Sequence, residues 1–489
     1  MTRVQLIDVS LRDGNQSLWS ATGVTTRMVS GAGEHLGRAG YRCVELTNST
    51  QMAVAVRFQR EDPWERIRVA RERMPDTTLG FLTTGKRFIT FYRTPDALFE
   101  LAFKLLRRNG ITRLWVVDPM HDMEGAKRIA RMAKRHGFED VVAGICYTIS
   151  PVHTDEYYAA KAAELAGCDA IDSVYLKDPA GVLTPDRLTT LLPVLSGALT
   201  DLSVDEIHTH STTGIAPQTL LRAADLGVRN LHCALPPLAD GSSHPSALQL
   251  VRNLRARGHD VDVDLDAMRE ASDYLTRQAR LKRLPVGTPA EYDEDYYRHT
   301  VPGGVQSTLR RQLAEIGRSE LFDAVVEESV AVREDIGWPI AMTPFAQYIV
   351  TQATLNVVSG ERYSMLCNEI VDMLRGDFGP LPGAVDQNLL DRAMQTARAK
   401  QRFDDEAVTI EDLRSRFGSR CSEEELMLRA VMPAEQVDAM VAATSSPWDD
   451  MRGLLRQFAE NPRMTSFSAS VGDLSVAVRR TASMKEETR

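Results

Sequence analysis

Aromatic residues are scarce in this 489-residue chain, at 6%, so an aliphatic core is expected. No run approaches the ~18 uninterrupted apolar residues of a membrane helix, which excludes a helical membrane span. Cysteine is sparse: Cys43, Cys146, Cys168, Cys233, Cys367 and Cys421 stand singly, with no Cys-x-x-Cys pair. That excludes a disulfide framework and a cysteine-rich zinc site. An excess of positive charge is also missing. Lys and Arg total 58 against 67 Asp and Glu, a net charge of −9. This mild acidity speaks against a phosphate-backbone binder, so no nucleic-acid partner is expected. The basic run at 127–135 reads as the wet face of a helix. Met1-Thr2-Arg3 leads straight into apolar alternation with no signal-peptide core. The expectation is a reduced, cytoplasmic enzyme or enzyme subunit.

What is present is a repeat of strand and helix patterns. Short apolar runs fall at 4–9, 41–46, 78–82, 113–118, 141–147, 170–176, 204–208 and 230–235. Helical periodicity fills segments between them, such as 96–108, 123–136, 155–166 and 216–226. Gly40, Gly110, Gly137, Gly167 and Gly227 stand where helices should end. Eight such repeats predict an α/β fold, a closed (β/α)8 TIM barrel over residues 1–300. An open doubly wound sheet is disfavoured, because Leu11-Arg12-Asp13-Gly14-Asn15 is not a Gly-rich phosphate turn. Beyond Val301-Pro302-Gly303-Gly304 the chain turns mainly helical, with helices predicted at 306–317, 321–336, 343–358, 362–374, 387–400 and 422–430. Residues 301–450 are read as a helical C-terminal domain capping the barrel mouth, and 451–489 as an irregular tail frayed past 481.

Barrel chemistry sits at the C-terminal ends of the strands. Those ends carry Asp13, Asp118, Tyr147, Lys177, His208 and His210. Residues two apart on a strand face the same way, so His208 and His210 share a side with Thr209 opposite. Two imidazoles and the Asp13 carboxylate suit a divalent metal: zinc foremost, with manganese or cobalt also fitting. Lys177 is the odd member, because a buried ammonium beside a cation is repelled. Either it forms a salt bridge with Asp178 or Asp172, or CO2 converts it to an anionic carbamate that ligates the metal.

The segment Leu11-Arg12-Asp13-Gly14-Asn15-Gln16-Ser17 resembles the opening motif of the biotin-dependent carboxyltransferases. These include the transcarboxylase 5S subunit, the oxaloacetate decarboxylase alpha subunit and the pyruvate carboxylase carboxyltransferase domain. Glu61-Asp62-Pro63-Trp64-Glu65-Arg66, Tyr147-Thr148-Ile149-Ser150-Pro151-Val152-His153-Thr154, Lys177-Asp178-Pro179-Ala180-Gly181, His208-Thr209-His210, Val301-Pro302-Gly303-Gly304, Val332-Arg333-Glu334-Asp335-Ile336-Gly337 and Gly360-Glu361-Arg362-Tyr363 extend the likeness. The resemblance implies a metal held by Asp13, His208, His210 and a carbamylated Lys177. It implies substrate contacts at Arg12 and Gln16, and proton relay by Ser242, where the family usually has Thr. Tyr147 is a further substrate-binding candidate. The implied reaction moves a carboxyl group between a small 2-oxo acid, of pyruvate or oxaloacetate type, and biotin. No Ala-Met-Lys-Met motif is present, and Ser483-Met484-Lys485 lies in a polar tail. Biotin is therefore expected on a separate carrier protein, alongside a biotin carboxylase subunit, and the family likeness suggests a homodimer.

Three positions depart from the family pattern. Thr84 stands where a substrate-binding arginine is expected, leaving Lys86 or Arg87 to reach in. Phe91 replaces a tyrosine, and Ser211 replaces an acid after the second histidine. The metal set is kept and the substrate surroundings are changed. Alternatives are an aldol-type lyase or synthase related to isopropylmalate synthase and hydroxymethylglutaryl-CoA lyase, a biotin-independent 2-oxo acid decarboxylase or carboxyltransferase, and a scaffold subunit. Cys146 and Trp115 read as packing residues, Trp115 between barrel and helices.

Overall fold

Eight short strands alternate with helices: β1 Gln5–Asp8, β2 Cys43–Asn48, β3 Leu79–Thr84, β4 Arg113–Val117, β5 Asp140–Cys146, β6 Ser173–Asp178, β7 Val204–Thr209 and β8 Asn230–Cys233. Every neighbouring pair is parallel, and β8 returns to β1 with Gln5 opposite Asn230, so the sheet closes into a barrel. The computed structural model describes residues 3–85, 87–89, 94–401, 409–418, 421–444, 465–471 and 474–479. The strands are apolar on both faces, as a barrel covered by helices requires. Leu6, Val44, Leu114 and Val116 pack outward on the helices. Ile7, Cys43, Trp115, Val142 and Tyr175 point inward. Trp115 was expected between barrel and helices; its position in β4 has the opposite parity, so it fills the interior. Helix starts are capped as composition demands: Thr184 accepts from Arg187 N, and Asp122 from Gly125 N. No helix among the described residues is long and apolar enough to cross a membrane.

The second domain has its own core, built on Val325, Phe345, Ile349, Ile370 and Met373. Its helices are Gly303–Glu315, Phe322–Asp335, Phe345–Ser359, Asn368–Arg375 and Gln387–Gln395. Ile340 and Met342, from the link between two of these helices, join the interior cluster of the barrel. Side chains of this helical region therefore enter the interior cluster of the barrel.

The structure corrects four further expectations drawn from the sequence. The helix expected at 362–374 starts only at Asn368. Before it, Tyr363 N donates to Asn356 Oδ1 at 2.9 Å, Cys367 N donates to Gln352 Oε1 at 3.0 Å, and Gln352 Nε2 donates to Met365 O at 2.8 Å. Side chains of the preceding helix take the backbone partners that another helical turn would use. The helix expected at 387–400 breaks at Thr396, whose hydroxyl caps a new turn at Ala399 N. Helices Ile410–Phe417, Glu423–Val431 and Ala434–Thr444 do not stay with the cap. Leu426 and Met427 join the core of the barrel, and Lys104 and Arg108 pair with Glu423 at 2.7 and 3.0 Å. The tail also contains order: Ser466–Val471 and Leu474–Arg479 form an antiparallel hairpin. Residues 481–489 lie outside the described residues.

Arg333 joins the two parts. It is buried, and burial lowers its guanidinium to about 10. It donates to Thr148 Oγ1 at 2.9 Å and Ile149 O at 3.2 Å in the loop after β5. It also donates to Thr300 Oγ1 at 2.8 Å and Pro339 O at 2.9 Å. Arg333→Ala removes all four bonds and leaves the buried acceptors of Thr148, Thr300 and Pro339 unpaired, so it should destabilise the chain by about 2–4 kcal/mol. Denaturant unfolding checks this; an unchanged midpoint would mean that the four bonds contribute nothing net.

Candidate active site

The site is built from the ends of β1, β6, β7 and β8. After β1 the chain makes a single wide helical turn, Ser10–Gly14, that turns Arg12 and Asp13 inward. A side chain at position 14 would strike the Leu238 carbonyl at 2.8 Å, so glycine is required there. After β6, Asp178 accepts the backbone N–H groups of Gly181, Val182 and Leu183 at 2.8–3.1 Å, and the Thr209 hydroxyl at 2.8 Å. Asp178 is thereby committed to holding its loop, and Gly181, at φ +74, passes so close to the His210 carbonyl that a Cβ would lie 2.4 Å from it.

These loops bring Asp13, His208, His210 and His244 together, all buried, with one donor atom of each within 4.8 Å of the others. Asp13 Oδ2 lies 3.2 Å from His208 Nε2 and 3.7 Å from His210 Nε2. Lys177 Nζ sits 2.6 Å from His208 Nε2 and 3.5 Å from Asp13 Oδ2. The salt bridge expected from Lys177 to Asp178 or Asp172 is not made: Asp178 holds its loop, and Asp172 pairs with Lys134 at 2.6 Å. Arg12 bridges Asp13 at 2.8 Å and Glu45 at 2.6 Å. Burial alone would raise the Asp13 carboxyl, but Arg12, Lys177 and His210 hold it well below the usual carboxylate range. Burial lowers the Lys177 amine against the pull of Asp13, which favours the neutral form.

The histidines are oriented for cation binding. His210 Nδ1 lies 2.8 Å from the Ser242 carbonyl, which can only accept, so Nδ1 carries a proton and Nε2 is the atom turned toward Asp13. His244 Nε2 approaches His208 Nε2 at 2.9 Å, and its buried Nδ1 has no hydrogen-bond partner among the described residues. Three imidazoles and a carboxylate with converging donor atoms fit a divalent transition metal. His244 was missed in the sequence because it does not share the spacing of His208 and His210. Its place two residues after Ser242, in the loop after β8, was the available signal.

The cluster lies on a cavity of about 780 Å3 between barrel and cap. Arg12, Asp13, Gln16, Thr84, Lys177 and Ser242 line it, as the sequence reading requires. Gln16 Oε1 accepts from Asn48 Nδ2 at 3.0 Å, and Ser242 Oγ donates to Ser17 O at 3.0 Å. Tyr147 is not on the wall: it stacks on Tyr158, 5.8 Å between ring centres, and burial raises its hydroxyl to about 12. Lys86 and Phe91 lie outside the described residues. Arg87 does reach the cavity. Its guanidinium carbon lies 4.1 Å from the Phe378 ring centre and 5.3 Å from that of Phe345, and the Tyr348 hydroxyl and Asp118 are its electrostatic neighbours.

A closed (β/α)8 barrel with its charged cluster at the C-terminal ends of the strands defines a barrel enzyme. The HMGL-like family model matches residues 3–275, and that of the conserved carboxylase domain matches 296–476. The chain is 34% identical over 394 residues to a pyruvate carboxylase subunit of Methanocaldococcus jannaschii, covering 80% of this chain and 68% of that one. It is 30% identical to the 2-oxoglutarate carboxylase large subunit of Hydrogenobacter thermophilus, over 90% of this chain and 68% of that one. It is equally similar, at 30%, to the methylmalonyl-CoA carboxyltransferase 5S subunit of Propionibacterium freudenreichii, over 81% and 78%. The fold matches the carboxyl transferase domain of Rhizobium etli pyruvate carboxylase solved with pyruvate, at TM-score 0.82 and 24% identity, over 91% of this chain and 78% of that one. The chain belongs to the biotin-dependent carboxyltransferase family. It is an enzyme of that family.

Proposed function

We propose that this enzyme moves a carboxyl group between a small 2-oxo acid and biotin borne on a separate carrier protein charged by a biotin carboxylase subunit. The observation that carries the reading is the convergence of Asp13, His208, His210 and Lys177 at the barrel mouth, where Asp13, Lys177 and His210 line one cavity. Asp13, His208 and His210 would hold a divalent ion, zinc foremost. When bound, such an ion polarises a 2-oxo group and stabilises the negative charge of an enolate. Ser242 Oγ then moves a proton between the methyl carbon of the substrate and the biotin ring nitrogen, and the enolate carbon takes up the CO2 that biotin releases. The cap, with Ile340 and Met342 in the interior, keeps water from the reacting carbon.

The fourth ligand has two candidates. Lys177 favours a carbamate, because its neutral amine is the form that combines with CO2. His244 favours direct ligation, because its ring already lies among the others. The carbamate is preferred, since Lys177 ends a buried strand and, among the described residues, has no ion-pair partner except Asp13. An aldol-type lyase on the same barrel draws support from the imidazole-rich set, which needs no carbamate. The carboxylase-domain match beyond the barrel weighs against it.

Metal analysis should find about one divalent ion per chain. Lys177→Ala should lower affinity by more than the ~10–100-fold typical of losing an outer partner. If His244→Ala loses the ion and Lys177→Ala keeps it, the carbamate reading fails.

Ser242→Ala should lower kcat for carboxyl transfer by ~10²–10⁴-fold with metal content unchanged. Following pyruvate release from oxaloacetate with a biotin acceptor tests the reaction itself. If neither oxaloacetate nor any other 2-oxo diacid turns over, the assignment is wrong.

Arg87, which lines the cavity with Tyr348 and Asp118 as its electrostatic neighbours, is assigned to the substrate carboxylate. Arg87→Met should raise KM by about 10–100-fold, the range for one charge-assisted bond, with little change in kcat. An unchanged KM would confine Arg87 to its stacking role.

A further inference from the structure

A second buried polar chain lies beneath the cluster, inside the barrel, and the mechanism above makes no use of it. Glu206 on β7 is fully buried. Its Oε1 accepts from Arg113, which also pairs with Asp140. Its Oε2 accepts from Trp115 Nε1 at 2.8 Å and lies 3.0 Å from His232 Nε2. His232 Nδ1 in turn lies 3.0 Å from His208 Nδ1. The rings are held in place: Tyr175 stacks on His232 with planes 2° apart and centres 5.8 Å apart, and Trp115 meets it edge-on at 5.7 Å.

Guanidinium and indole groups can only donate, and Glu206 is ion-paired with Arg113, so Glu206 accepts from all three neighbours. His232 must then carry its proton on Nε2, which leaves Nδ1 bare. A bare Nδ1 on His232 requires a protonated Nδ1 on His208. The lone pair of His208 is thereby left on Nε2, the atom that faces Asp13, His244 and Lys177. The reverse assignment sets the His232 lone pair against the Glu206 carboxylate at 3.0 Å, a costly arrangement in a buried site. In the chosen one the bare Nε2 of His208, 3.2 Å from Asp13, accepts from Lys177 Nζ at 2.6 Å.

We infer that Glu206 is a positioning residue that sets the tautomer of His208 through His232, presenting a bare Nε2 to the cluster. The carboxylate–imidazole support common behind metal-binding histidines is lengthened here by one ring. The tautomer assignment stands whatever the site binds; its effect on metal affinity rests on the proposed metal centre.

The test compares His232→Leu, which removes the acceptor, with His232→Asn, whose side-chain oxygen can accept from His208. Long-range 1H–15N spectra of the 15N-histidine apoprotein should show His208 protonated on Nδ1 and His232 on Nε2. In His232→Leu, His208 should shift toward the Nε2-protonated form, and Co2+ affinity should fall about 10–100-fold. His232→Asn should restore both to within a few-fold of the parent. If His232→Leu does not fold, Glu206→Gln is read in the same way, and an unaltered His208 tautomer there overturns the inference. His208 protonated on Nε2 in the parent chain, or equal Co2+ affinity in all variants, also overturns it. Failure of the parent chain to bind Co2+ would count against the metal centre alone, and the apoprotein spectra would still decide the tautomer.

Discussion

The Asp13 carboxylate, buried at the end of the first strand, is the point around which the site is organised. A carboxylate taken out of water needs compensation, and here an arginine, an amine and two imidazoles supply it. The amine and the imidazoles come from strands distant in the chain, so closing the barrel is what assembles them. Asp178 and the glycine at 181 fix the loop that aims Lys177, and the carbonyl of Ser242 fixes the ring of His210. Ser242 is therefore tied through its backbone to the group whose chemistry its hydroxyl would serve.

The interior of this barrel is unusual in its polarity. Arg113, Trp115, Glu206 and His232 replace what would otherwise be a layer of aliphatic side chains. Buried charge of this kind adds little net stability, and replacing it with apolar residues is often neutral. Its presence below the cluster is more readily explained by the orientation it gives to His208. The cap makes a complementary contribution through Ile340, Met342 and Arg333, which couple the second domain to the mouth and to the loop after β5.

Much of this was legible in the chain. Strand–helix alternation pointed to the barrel, and Asp13, Lys177, His208 and His210 were identifiable because strand ends are where barrel enzymes place chemistry. The shared orientation of His208 and His210 followed from period-two parity. Less visible was anything set by contacts between distant elements. His244 and His232 carry no spacing signal relative to His208, and the partner of Lys177 could not be named before Asp13 was known to lie opposite. Trp115 and Tyr147 were placed on the wrong walls, because parity from an uncertain strand start is easily shifted by one residue. The helices at 410–444 look locally like part of the cap. Their return to the barrel is set by apolar faces and charges that meet only in three dimensions.

Anomalous diffraction from crystals grown with Co2+ bears on the metal centre most directly. A single strong peak is predicted ~2.0–2.2 Å from an Asp13 oxygen and from Nε2 of both His208 and His210. An absence of any peak among these side chains, or a peak held by other residues, would contradict the assignment.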